Sequence, residues 1–167
     1  MAVLEVLTYP DSRLKQVARS VERYDAELRG FVRDLEETMR SGPPSVGIAA
    51  PQVGRTQRVV IVDVSNMSRI RHHHGRLVLI NPEITVREGN VVGREGCLSV
   101  PDYTGNVVRA ERIEITACDE SGHPNHYVFE GFEARAVQHE IDHLDGLLFL
   151  DRLVSRRDDL FRRKVYK

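Results

Sequence analysis

The sequence predicts an α+β fold in which largely antiparallel β-sheets pack around a central helix, with a further helix on the N-terminal side. Three observations predict it. Apolar residues recur at extended helical spacing in two places, around residues 24–40 and 132–144. Between them lie short β-branched runs punctuated by Gly, Pro and Asn. The chain has 167 residues, 41% of them hydrophobic, enough for one compact domain over residues 1–167 with a sizeable core.

Each element has its own signal. From Tyr24 to Arg40 the apolar positions are Leu28, Phe31, Val32, Leu35 and Met39, one helical face. Asp25 stands at the N-cap position, and Ser41-Gly42-Pro43-Pro44 stops the helix. A shorter helix is expected after Asp11, through Leu14, Val17 and Ala18. Val59–Val64 and Leu77–Ile80 read as buried strands, separated by a polar loop, Ser65–Arg76. His72-His73-His74 in that loop reads as a solvated tip. Glu83–Arg94 and Val107–Cys118 read as extended, with a turn at Gly89-Asn90, and His126–Glu130 as one more strand. From Phe132 to Leu144 the pattern is helical again, with Ala134, Val137, Ile141 and Leu144 on one stripe.

Composition excludes several classes. Lys and Arg number 24 against 25 Asp and Glu, so no strong field favours DNA or an anionic membrane. The longest apolar runs are four residues, far below the roughly 20 that span a bilayer. Two cysteines build no disulfide framework, and MAVLEVLTYP carries no basic leader, so a reduced compartment is expected.

The sharpest local signal is His139-Glu140-Ile141-Asp142-His143. Residues four apart on a helix lie about 40° apart around its axis, so both imidazoles face one way and suit one metal ion. Glu140 beside them can manage the proton of a bound water. The central helix is therefore expected to bind metal. Zinc peptidases with this motif take a third ligand downstream, a His three residues beyond a Gly or a later Glu. Here Gly146 is followed by Phe149 in that register, and no Glu follows Glu140. The third donor must come from earlier in the chain, where two thiols are available. Cys97, in Glu95-Gly96-Cys97-Leu98-Ser99, has tight backbone around it, while Cys118 reads as a half-buried strand residue. Cys97 is the expected ligand. A third segment, Val46-Gly47-Ile48-Ala49-Ala50-Pro51-Gln52-Val53-Gly54, is small enough for close backbone approach and reads equally as a packed turn or short strand.

Ser45 to Gln52, Glu95 to Ser99 and Gln138 to His143, in that order, resemble the three motifs of the peptide deformylase family. The likeness extends from Val3 to about Arg152. The resemblance implies an enzyme that removes the formyl group from formyl-methionine at the N-terminus of nascent polypeptides, working in the cytoplasm. It implies that Cys97, His139 and His143 hold the metal, with Fe2+ as the physiological ion and Zn2+, Ni2+ or Co2+ able to substitute. Glu140 would act as general base and acid. The Gln52 side chain and the Leu98 backbone N–H would stabilise the oxyanion, and Val46, Gly47 and Ala136 would contact substrate. The resemblance also implies a short C-terminal helix, on which Arg152, Arg156, Arg163 and Lys167 would share a face toward the ribosome. Two departures stand out, Ser45 in place of a Gly and Thr104 where many relatives have an Arg. Arg135 reads as a rim residue. Glu95 and Arg109 read either as a charge pair or as exposed strand charges. Alternative functions are a peptidase of the H-E-x-x-H kind and a non-catalytic protein with a structural Cys/His metal site completed by Cys118, His123 or His126.

Overall fold

The computed structural model describes residues 2–163. Helix α1 (Ala26–Ser41) starts where Asp25 accepts the Leu28 N–H at 3.0 Å, the expected cap. Eight strands and a second helix follow: β1 (Gly47–Ala49), β2 (Val59–Val62), β3 (Leu77–Glu88), β4 (Val91–Cys97), β5 (Val100–Arg109), β6 (Arg112–Cys118), β7 (Pro124–Glu130), α2 (Gly131–Leu144) and β8 (Leu160–Arg162). Short 3-10 turns occupy Ser12–Lys15, Ala50–Val53 and Phe149–Arg152. Two antiparallel sheets form, one in the order β1-β2-β3-β6-β7 and one in the order β4-β5-β8.

The uninterrupted Val59-Val60-Ile61-Val62 run is explained by burial on both faces of the larger sheet. Val59 and Ile61, with Val78 and Ile80 of β3, pack against Leu28, Phe31, Val32, Leu35 and Met39 of α1. Val60 and Val62, with Leu77 and Leu79, pack on the other face against Ala134, Val137, Ile141 and Leu144 of α2. Cys97, Val100, Val107, Leu148 and Phe149 close a third cluster beneath the smaller sheet. Helix α2 is thus held between the two sheets, and every residue from Glu133 to Leu144 is buried.

Several expectations are corrected in detail. The helix after Asp11 is a single 3-10 turn. Strand β3 runs on through Asn81, whose positive φ of 52° is held by a side chain that accepts from Val21 N–H (2.8 Å) and donates to Val21 C=O (2.9 Å). The single extended segment expected over Val107–Cys118 is two strands, β5 and β6, and β5 begins seven residues earlier, at Val100. No C-terminal α-helix forms among the described residues. Leu160 and Phe161 pair instead with Gly105 and Thr104 of β5, adding a third strand to the smaller sheet. Lys167 lies outside the described residues.

Candidate active site

Helix α2 presents His139 and His143 one turn apart, their ring centroids separated by 5.2 Å. Strand β4 supplies Cys97 opposite them. The register slips between Glu95 and Cys97, where the ladder passes into the two-residue turn Leu98-Ser99 before β5. The Cys97 Sγ lies 3.3 Å from His143 Nε2. Donor atoms of Cys97, His139 and His143 all fall within 4.8 Å of one another, and all three residues are buried. A thiolate and two imidazoles so close together fit one divalent ion. The remaining ring nitrogen of His139 agrees with this fit. Its Nδ1 is engaged by Glu95 Oε1 at 2.8 Å, which fixes the ring and leaves Nε2 for an ion.

Glu95 anchors a buried ionic network. Arg109 donates to both of its carboxylate oxygens at 2.9 Å and also to Asp142 on α2. Arg135 donates to Glu95 Oε2 at 2.7 Å and to the Val107 and Val91 carbonyls. Asp142 is bonded as well by Arg152, at 3.0 and 3.1 Å. Burial alone would raise the Glu95 pKa, but Arg109 and His139 outweigh it and hold the carboxylate well below its usual range. Glu95 and Arg109 are therefore a buried pair, not exposed strand charges. Arg135 is likewise buried, not at the rim.

Glu140 is 4% exposed, and its Oε1 has no hydrogen-bond partner among the described residues. Burial pushes its pKa up to about 7. Strand β1 lies against it so closely that a Cβ on Gly47 would stand 2.6 Å from Glu140 Oε2. Gln52 sits on the 3-10 turn after β1. Its Oε1 accepts the Ala49 N–H at 2.9 Å, which orients the amide. The NH2 group then faces Ser99 Oγ at 3.0 Å and Cys97 Sγ at 3.5 Å.

A cavity of about 690 Å³ opens above these groups. Eight of the nine expected site residues line it: Val46, Gly47, Gln52, Cys97, Leu98, Ala136, His139 and Glu140. His143 lies behind them, 1% exposed. Met67 and Phe132 complete an apolar wall that the sequence did not reveal, and Met67 belongs to the loop after β2. That loop is less free than expected. His74 Nδ1 meets the buried Glu133 at 2.7 Å, and its ring packs edge-on against Phe129, so His74 is docked on α2 and β7. His72 and His73 are exposed, as a solvated tip requires. Cys118 is a half-buried strand residue on the α1 side of the sheet, and His123 and His126 are exposed beside Asp119 and Glu114. Among the described residues none of the three joins the donor cluster, which leaves a four-ligand structural site without its fourth donor.

A Cys/His2 donor set beside a buried carboxyl group, at the foot of an apolar cavity, gives this fold the site of a metal-dependent hydrolase. The sequence model of the polypeptide deformylases matches residues 3–159, and the chain belongs to that family. It is 47% identical, over its whole length and 91% of the relative, to a peptide deformylase of Alkalilimnicola ehrlichii. It is 41% identical to peptide deformylase 3 of Shewanella oneidensis, covering all of this chain and 99% of the relative. The crystal structure of a peptide deformylase from Legionella pneumophila superposes with a TM-score of 0.84 at 38% identity, over 93% of this chain and 90% of that one. The peptide deformylase of Synechococcus elongatus in complex with actinonin gives 0.84 at 39%, over 92% and 80%. The chain is accordingly an enzyme with a metal cofactor. No helix among the described residues is long and apolar enough to cross a membrane.

Proposed function

We propose that this chain hydrolyses the formyl amide of N-formyl-methionyl nascent polypeptides, releasing formate and a free amino terminus. Cys97, His139 and His143 would hold the ion. Bound there, it supplies the Lewis acidity that makes water nucleophilic near neutral pH and polarises the formyl carbonyl. Glu140 accepts a proton from the attacking water and passes it to the departing methionine nitrogen as the C–N bond breaks. The Gln52 NH2 and Leu98 N–H donate to the formyl oxygen as negative charge collects on it, each worth ~3–4 kcal/mol at the transition state. Gly47 and Leu98 bound a slot that suits the smallest acyl group. Val46 and Ala136, with Phe132, give the methionine side chain an apolar wall.

The observation that carries this reading is the unpartnered Glu140 carboxyl beside the three donors. Formate release from formyl-Met-Ala-Ser, with metal analysis of the same sample, tests it. Glu140→Ala is expected to keep its metal and lose at least 10²-fold in turnover. Activity within tenfold of wild type would remove Glu140 as the proton carrier.

Fe2+ is the physiological ion in this reading, although the same donors accept Zn2+, Ni2+ and Co2+. The enzyme works in the cytoplasm, where formylated chains emerge. Ribosome contact through the C-terminal basic residues needs a different geometry from the shared helical face. Arg152 is bonded to Asp142 and Arg163 lines the cavity, which leaves Arg156, Arg157 and Arg162 exposed on that segment.

A further inference from the structure

Two guanidinium groups at the cavity mouth have no task in the chemistry above. Arg94 on β4 and Arg163, one residue beyond β8, both line the cavity. Burial alternates along β4, with Glu95 and Cys97 inside and Arg94 and Gly96 on the exposed face. That exposed face of the smaller sheet therefore continues the cavity wall outward. Gly96 provides a seat for Arg163, since any Cβ there would collide with its guanidinium. Thr104 also lines the cavity and is bonded by Arg94 (3.3 Å), which stacks on Phe161 at 3.8 Å and reaches Asn106 (3.1 Å).

Neither guanidinium makes an ion pair with a carboxylate among the described residues. By contrast, the buried Arg109 and Arg135 are fully engaged with Glu95. Of the carboxylates that line the cavity, Glu95 is taken by Arg109 and Arg135 and Glu140 is buried at its foot. Asp102 and Asp159 of the same sheet region line no part of it, and Asp159 is bonded by the Asn106 side chain at 2.8 Å. Two uncompensated cations thus stand next to the site, with Gly96 between Arg163 and the backbone of Cys97. An extended peptide advances ~3.3 Å per residue, so the first two or three residues after the methionine pass them.

We propose that Arg94 and Arg163 form a carboxylate-reading rim, which selects peptides carrying an acidic group shortly after the formylated methionine. This rests on the deformylase reading and adds a preference to it. The carboxylate is a Glu or Asp side chain, or the terminal carboxylate of a short peptide. Exposed pairs of this kind are worth about two- to fivefold each at low salt.

The test compares kcat/KM for amidated formyl-Met-Ala-Glu, formyl-Met-Ala-Ser and formyl-Met-Ala-Lys, together with formyl-Met-Ala-Ser as the free acid. At low salt the Glu peptide is expected to exceed the Lys peptide by about tenfold, chiefly through KM, and molar salt should erase the difference. The free acid should exceed its amide if the terminal carboxylate is also read. Arg163→Glu should invert the Glu:Lys ratio, and the Arg94→Ala/Arg163→Ala variant should bring it near one. A flat ratio in the wild type, with formate released from every peptide, would overturn the rim while leaving the deformylase reading intact. A ratio that survives in the double variant would overturn it too. Failure to release formate from any of the peptides would defeat the deformylase reading itself, and the rim with it.

Discussion

Gly47→Ala should disable the site with a single methyl group. The added Cβ would stand 2.6 Å from Glu140 Oε2 and 2.9 Å from its Cδ and Cγ, about 0.8 Å short of the 3.4 Å at which ordinary contact begins. Strand β1 cannot retreat, because all three of its residues are paired with β2 and fully packed. Glu140 must therefore move, on a helix buried between two sheets. A displacement approaching 1 Å at a proton-transfer group costs about 10²-fold. Steady-state formate release should fall by that factor, while metal content stays at wild type because Cys97, His139 and His143 are untouched. The control is a double-mutant cycle: in a Glu140→Ala background, Gly47→Ala should add little, since the group it displaces is gone. Wild-type turnover in Gly47→Ala, or fully additive losses in the cycle, would refute the argument.

Gln52→Leu should lower kcat by roughly 10²–10³ with little change in KM, and should also destabilise the fold by ~1–3 kcal/mol because the buried Ala49 N–H loses its acceptor. A loss that appeared only in KM would make Gln52 a binding residue and not an oxyanion donor. Arg109→Leu leaves Glu95 and Asp142 without a shared partner, and urea unfolding should report a loss of ~3–5 kcal/mol; a change under 1 kcal/mol would mean the network is not held by this residue. Anaerobic iron loading should give the highest activity and lose it in air, whereas nickel-loaded protein should keep its activity and zinc-loaded protein should be folded but slow. Equal, air-stable turnover of the iron and zinc forms would contradict this.

The parts of the fold that were legible were those in which neighbouring residues carry the pattern. Helix α1, its Asp25 cap, β2 and the two-sided burial of β2 follow from local periodicity. Strand β8 and the first half of β5 do not, because Pro101 and Gly105 interrupt the β-branched signal and β8 is only three residues long. Its formation depends on a distant partner. The site divides in the same way. His139, Glu140 and His143 share one helical turn, and Cys97 followed by elimination. Of the ionic network only the Glu95–Arg109 pair was open to the sequence, as one of two readings; Arg135 and Asp142 join it from α2, and no spacing rule brings them there. One further clue was present: Glu95 and Cys97 are two apart on a strand and so share its inward face.

The unequal anchoring of the two cavity walls has a consequence for motion. Helix α2, between two sheets, and β2, buried on both faces, can expose their amides only when the whole core opens. Strand β8 lies at the edge of the smaller sheet, joined by three residue pairs and by the Arg163 N–H to the Asp102 carbonyl at 2.8 Å. The amides of β8 should therefore exchange through local opening of that edge, at a lower free-energy cost than those of the buried core. Hydrogen exchange should register this as fast turnover at Leu160–Arg162 beside near-complete protection at Val59–Val62 and His139–His143.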